Sequence, residues 1–164
     1  KRIYLFDNLL DKFHKKEIEA VVAHEMGHYV NKDTIRFMVI QGLLIFPIFY
    51  IAGEIFRIWG SFQHIYHLPL FLLVLYGLYS VIDPITLAYS RRREEEADSF
   101  ALEAIGEALP VISAFKRLSD IDLSEINPKK VVEILFYSHP PLKKRIDMAR
   151  EFGKSKSQPN EKDK

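Results

Sequence analysis

Apolar residues occur along this chain in three rhythms, and each rhythm predicts a different kind of element. Around the segment Ile18 to His28 they repeat at helical spacing. With Val21 as reference, Ile18, His24, Glu25 and His28 all fall within about 60° of it on a helical wheel. From residue 37 the rhythm changes. Phe37 to Gly53 contains no charge and Leu68 to Ser90 contains only Asp83, so both runs are apolar on every side. Amphipathic spacing returns at Ala97, Phe100, Ala101, Ala104 and Ile105, and again in a final helix expected from Leu142 to Phe152. Asn127-Pro128 marks a helix start, with Asn as cap and Pro in the first turn, running to about Phe136. Ser138-His139-Pro140-Pro141 then breaks the chain. At the other end, Arg2-Ile3-Tyr4-Leu5-Phe6 is short and β-prone, and Asp7-Asn8 closes it. A lone strand is unstable, so this one needs an upstream hairpin partner or a bound peptide beside it.

Each uncharged run approaches the roughly 20 residues that a helix needs to cross a bilayer. They predict transmembrane spans at about residues 37–56 and 68–89, joined by a short segment holding Trp59, Phe62 and Tyr66 at the interface. Buried core helices of a soluble domain are the alternative, although 164 residues provide little protein to enclose two such rods. Lys12, Lys15, Lys16, Lys32 and Arg36 precede the first span and Arg91 to Arg93 follow the second. The connection carries only Arg57. Positive charge on the side shared by both outer flanks places that side in the cytoplasm. Asp83 is costly in lipid, so it is expected to face protein or a wet cavity.

The chemistry sits where the first amphipathic stripe turns polar. His24-Glu25-Met26-Gly27-His28 spells H-E-x-x-H, which stacks two imidazoles on one helix face and leaves Glu25 able to reach a water between them. Burying such groups unpaired costs about 1–3 kcal/mol each, and a bound metal satisfies them. Catalytic zinc takes three protein ligands and keeps a fourth position for water. With no cysteine available, the third ligand is His, Asp or Glu. Among three adjacent glutamates the wheel selects Glu94, which lies within about 60° of the centre of the stripe formed by Ala97, Phe100 and Ala101, whereas Glu95 points away and Glu96 sits on the flank. Asp98, one turn beyond Glu94, is placed to hold a ligand's other ring nitrogen. Arg91, Arg92, Glu95 and Glu96 read as a solvated charge run, and Arg93 has no assigned role.

Composition narrows the classes. Net charge of +1 gives no field to recruit nucleic acid, and zero cysteines exclude a disulfide framework and thiol catalysis. The chain lacks an initiator Met and a signal pattern, which reads as a piece of a longer protein. The expected division is one catalytic metallopeptidase domain over residues 1–152 and a disordered polar tail over 153–164. His139, beside two prolines, reads on its own as a structural loop residue more readily than a catalytic one.

Arg2 to Leu10, the His24–His28 motif, Ser90-Arg91-Arg92-x-Glu94-x-x-Ala97-Asp98 and Ser138-His139-Pro140-Pro141-Leu142-x-x-Arg145 together resemble the CAAX prenyl protease 1 family of integral-membrane zinc endopeptidases. More distantly they are similar to the HtpX proteases. The resemblance covers residues 2 to about 152 and departs at Glu95-Glu96, where that family commonly carries an aromatic and then Gln. It implies His24, His28 and Glu94 as ligands of one Zn2+, Glu25 as general base, and His139 and Arg145 near the substrate carbonyl. It also implies upstream transmembrane helices as partners, beyond this chain. The expected fold is mainly α: a membrane-embedded, zincin-like helical core whose two-span hairpin joins the H-E-x-x-H helix to the Glu94 helix, plus the short N-terminal strand. The expected activity is hydrolysis of peptide bonds in a peptide or protein substrate, either a prenylated C-terminus or a membrane protein under quality control. A catalytically silent zinc-clamped scaffold is the rival from another class, and a soluble protease a third.

Overall fold

The computed structural model describes residues 7–59, 64–122 and 125–157. They form α1 (Asp7–Lys12), α2 (Lys15–Val30), α3 (Asp33–Trp59), a 3-10 turn (Ile65–His67), α4 (Leu68–Ile105), α5 (Ala108–Asp122), α6 (Lys130–Phe136) and α7 (Leu142–Ser157). Among the described residues there is no strand, and the strand expected at Arg2 to Phe6 lies outside them.

α3 and α4 run antiparallel. At one end the Phe56 and Phe71 rings meet at 5.3 Å, and at the other Arg93 reaches Asp33. Ile48, Ala52 and Phe56 form the buried seam of α3, and the outward side chains are bare: Phe46, Tyr50, Tyr76 and Val81 are each more than 70% exposed. Both helices are long and apolar enough to cross a membrane, and only 11% and 6% of their most apolar stretches are buried. A core helix of a soluble domain would show the opposite. Pro47 and Pro84 sit inside these helices without ending them.

At about 1.5 Å per residue, the 38 residues of α4 extend for roughly 57 Å. Its first half is the apolar partner of α3. Its second half enters a small bundle with α2, α5 and α7, whose shared core is Ala20, Leu102, Val111, Ala114, Phe115 and Ala149. Gly106 ends α4 in the left-handed region (φ 74°), its N–H bonding Leu102 O at 2.9 Å. α2 is held to α5 through buried Glu17, which accepts the backbone N–H of His14 at 2.7 Å and also contacts Ser113 and Arg117.

Two helix boundaries differ from expectation. α6 begins at Lys130, with Lys129 before it, so Asn127 and buried Pro128 belong to the preceding loop. α7 continues to Ser157, so the first five residues of the expected tail are helical. Tertiary support explains this: Gly153 packs on Ala108, and Lys156 Nζ donates to the Gly106 carbonyl at 3.5 Å. The remaining tail residues lie outside the described ones.

The approach of α2 to α4 depends on Gly27. A Cβ there would sit 3.0 Å from the Ala97 Cα and 3.2 Å from the Phe100 Cβ. Gly27→Ala is therefore expected to destabilise by about 1–3 kcal/mol through overpacking. Gly42→Ala, where nothing lies within 4 Å, should be neutral or stabilising by about 0.5–1 kcal/mol. Denaturation of both variants checks this, and indistinguishable midpoints would contradict the close-approach argument.

Candidate metal centre

The H-E-x-x-H residues lie on α2 and Glu94 lies on the second half of α4, so the Gly27 contact sets their separation. His24 Nε2 and His28 Nε2 are 3.2 Å apart. Glu94 completes a triangle, with Oε2 3.3 Å from His24 Nε2 and Oε1 3.3 Å from His28 Nε2. Metal–ligand bonds of about 2.0–2.2 Å at tetrahedral angles separate neighbouring ligand atoms by roughly 3.3–3.6 Å. The three groups already stand at that edge length. Glu94 Oε2 is buried among ring nitrogens, 3.3 Å from His24 Nε2 and 2.9 Å from His139 Nδ1, and this set of imidazoles and a carboxylate is the donor chemistry that suits a divalent cation. These residues fit a metal.

Each imidazole is backed by a carboxylate, and each carboxylate by an arginine. His28 Nδ1 donates to Asp33 Oδ2 at 2.8 Å, and Arg93 Nε donates to Asp33 Oδ1 at 2.6 Å. His24 Nδ1 lies 2.8 Å from Asp98 Oδ1, and Arg145 donates to both oxygens of the fully buried Asp98 at 2.6 and 2.7 Å. This fixes the outer ring nitrogen of His28 as the N–H and leaves its Nε2 lone pair facing the site. Asp33 reaches His28 because Lys32 takes φ 56°, turning the chain sharply between α2 and α3. A non-glycine residue held there costs about 1–3 kcal/mol.

A cleft of about 450 Å³ opens beside the triad and is lined by Glu25, His139 and Arg145 among others. Its apolar walls include Val21, Phe115, Leu118 and Leu142. Glu25 is exposed to it, one position round the helix from His24. His139 is 59% exposed and brings Nδ1 to 2.9 Å from Glu94 Oε2. Arg145 borders the cleft, but its guanidinium is turned onto Asp98 and stacked 3.9 Å from the centre of the Phe115 ring.

The family model for peptidase family M48 matches residues 1–152. The chain belongs to peptidase family M48. It is 32% identical to the uncharacterized metalloprotease YhfN of Bacillus subtilis, over 91% of this chain and 37% of that protein. Protease HtpX of Idiomarina loihiensis is 32% identical over 84% of this chain and 53% of its own length. A CAAX prenyl protease 1 homolog of Arabidopsis thaliana is 33% identical over 89% of this chain and 36% of its own length. Among solved structures, the crystal structure of S. mikatae Ste24p superposes with a TM-score of 0.74 at 28% identity, covering 87% of this chain and 37% of that one. The M48 chain thus spans between about a third and a half of these relatives.

Of the residues singled out by sequence, His24, His28, Glu94, Asp98, Glu25, His139 and Arg145 all gather here. Asp33 and Arg93 were missed. An H-E-x-x-H motif followed five residues later by an aspartate in the first turn of the next helix is the signal that could have found Asp33.

Burial pushes the His24 ring down, but the Asp98 and Glu94 carboxylates outweigh it and raise its pKa to about 9. His28 is also raised, chiefly by Glu94, against burial and with help from Asp33. In the metal-free M48 chain a proton on His24 therefore fills the role of a cation. The stabilisation it gives is complete below the ordinary value of 6.5 and is lost as pH rises through about 9. A metal must displace that proton, so metal affinity should rise about tenfold per pH unit across this window. Calorimetric titration in buffers of differing ionisation heat checks the proton release, and a pH-independent affinity would contradict it. Asp33→Asn should weaken metal binding by about 10–100-fold in the same titration.

Proposed function

We propose that this M48 chain carries the catalytic centre of a membrane zinc endopeptidase, with α3 and α4 as a transmembrane hairpin and the metal centre facing the cytoplasm. The observation that carries the reading is the triangle of His24, His28 and Glu94 with Glu25 and His139 on the adjoining cleft. The hairpin returns the chain to the side it left, which is why a ligand on α4 can meet two on α2. Lysines and arginines on that side support the cytoplasmic orientation.

Zinc held by His24, His28 and Glu94 supplies Lewis acidity toward the scissile carbonyl and makes an attacking water acidic near neutral pH. Glu25 takes the water's proton as its oxygen adds to the carbonyl carbon. The same carboxylic acid delivers that proton to the leaving nitrogen as the C–N bond breaks. His139, held at the cleft with its Nδ1 2.9 Å from Glu94 Oε2, donates to the developing oxyanion. Asp98 and Asp33 hold the two imidazoles in their ligating orientation, and Arg145 acts through Asp98 rather than on the substrate.

The substrate favoured by the prenyl-protease resemblance is a prenylated C-terminus, trimmed by three residues. A second reading, cleavage of membrane proteins in quality control, is favoured by the similarity to HtpX. A silent zinc clamp is disfavoured because such sites close all four positions with protein ligands.

The intact protein in bilayers should contain about one zinc per chain, lose cleavage with chelator and regain it with added zinc. Glu25→Gln should keep its metal and lose about 10²–10⁴-fold in turnover. Full turnover would refute the base assignment. A farnesylated peptide should be cut faster than its unlipidated twin, and equal rates would favour the quality-control reading.

A further inference from the structure

Arg91 lies one turn before Glu94 on α4 and, by its charge pattern, belongs to a solvated run. The structure treats it differently from its neighbour. Arg92 is exposed and, among the described residues, reaches Glu96, one turn along the same helix. Arg91 is partly buried, and its Nη1 donates to two backbone carbonyls far along the chain, Glu133 O at 3.0 Å and Tyr137 O at 2.7 Å. The first belongs to the last turn of α6, where a cation answers the electron-rich helix end. The second belongs to the extended residue that leaves the helix (φ −99°, ψ 120°).

Two residues later comes His139. On its other side Pro140 and Pro141 are both buried, and proline holds the residue before it in extended backbone. The His139 backbone is thus gripped upstream by Arg91 and downstream by the two prolines, while its ring meets Glu94 Oε2 at 2.9 Å. Residues three apart on a helix project to neighbouring positions of one face. A single turn of α4 therefore supplies both a carboxylate of the metal centre and the anchor for the loop that brings His139 to it.

We propose that Arg91 is a positioning residue that fixes His139 over the metal centre by clamping the carbonyls of Glu133 and Tyr137. The proposal rests on the reading of His139 as the donor to the oxyanion. Arg91→Ala should lower kcat by about 10–100-fold with KM within about twofold and metal content unchanged. Arg91→Lys should recover most of the loss, since an ammonium can still reach the carbonyls.

The decisive comparison is the double variant. Combined with His139→Ala, Arg91→Ala should cause no further loss, because the two act as one unit. Losses that multiply, or loss of metal from Arg91→Ala alone, overturn the proposal. Amide exchange gives a readout independent of turnover: Arg91→Ala should speed exchange at Ser138 and His139 and leave α2 and α7 unchanged. Unaltered exchange at those two amides also overturns it. Should His139→Ala retain full turnover, the oxyanion reading falls, and any slowing by Arg91→Ala then assigns Arg91 to the fold instead.

Discussion

Two imidazole nitrogens and a carboxylate, all electron-pair donors, face one another at 3.2–3.3 Å across the α2–α4 contact. Without positive charge among them such a cluster repels itself, and its partial burial removes the water that would screen it. A proton on His24 relieves this in the metal-free chain, and a divalent cation relieves it more completely. Asp33 and Asp98 behind the rings intensify the demand, while Arg93 and Arg145 neutralise those two carboxylates and leave Glu94 to the centre. The rest of the structure can be understood as what holds these donors in place.

Rigid elements do most of that holding. Gly27 lets α2 lie against Ala97 closely enough for its histidines to reach a carboxylate on the opposing helix. α4 is continuous through both its apolar half and its ligand-bearing half, so the antiparallel packing with α3 and the metal centre share one rod. The turn at Lys32 returns Asp33 beneath His28, and its positive φ is the strain this placement costs. α7 contributes Arg145, which locks Asp98 while its guanidinium stacks on Phe115 in the bundle core.

Much of this was legible in the sequence because helical periodicity is a local property. The wheel alone selected Glu94 over Glu95 and Glu96, and Asp98 followed from the spacing of one turn. What could not be read was pairing between elements. Asp33 and Arg93 lie 60 residues apart and meet only because α3 and α4 run antiparallel. Arg91 looked solvated because its partners are backbone carbonyls, which carry no sequence signature. Arg145 was expected near the substrate, and it borders the cleft, but its hold on buried Asp98 was not legible from spacing. The last turn of α7 was misjudged because contacts to Ala108 and Gly106, rather than composition, carry the helix onward, and Asn127-Pro128 fall in the loop before α6 instead of opening it.

X-ray absorption at the zinc edge of the intact protein tests the central claim most directly. The account predicts one zinc bound by two imidazoles and one carboxylate at about 2.0–2.2 Å, with a fourth light-atom ligand from solvent, and a changed sphere when Glu94 is replaced by Ala. A coordination sphere unaffected by replacing Glu94, or one closed by four protein ligands, would contradict it.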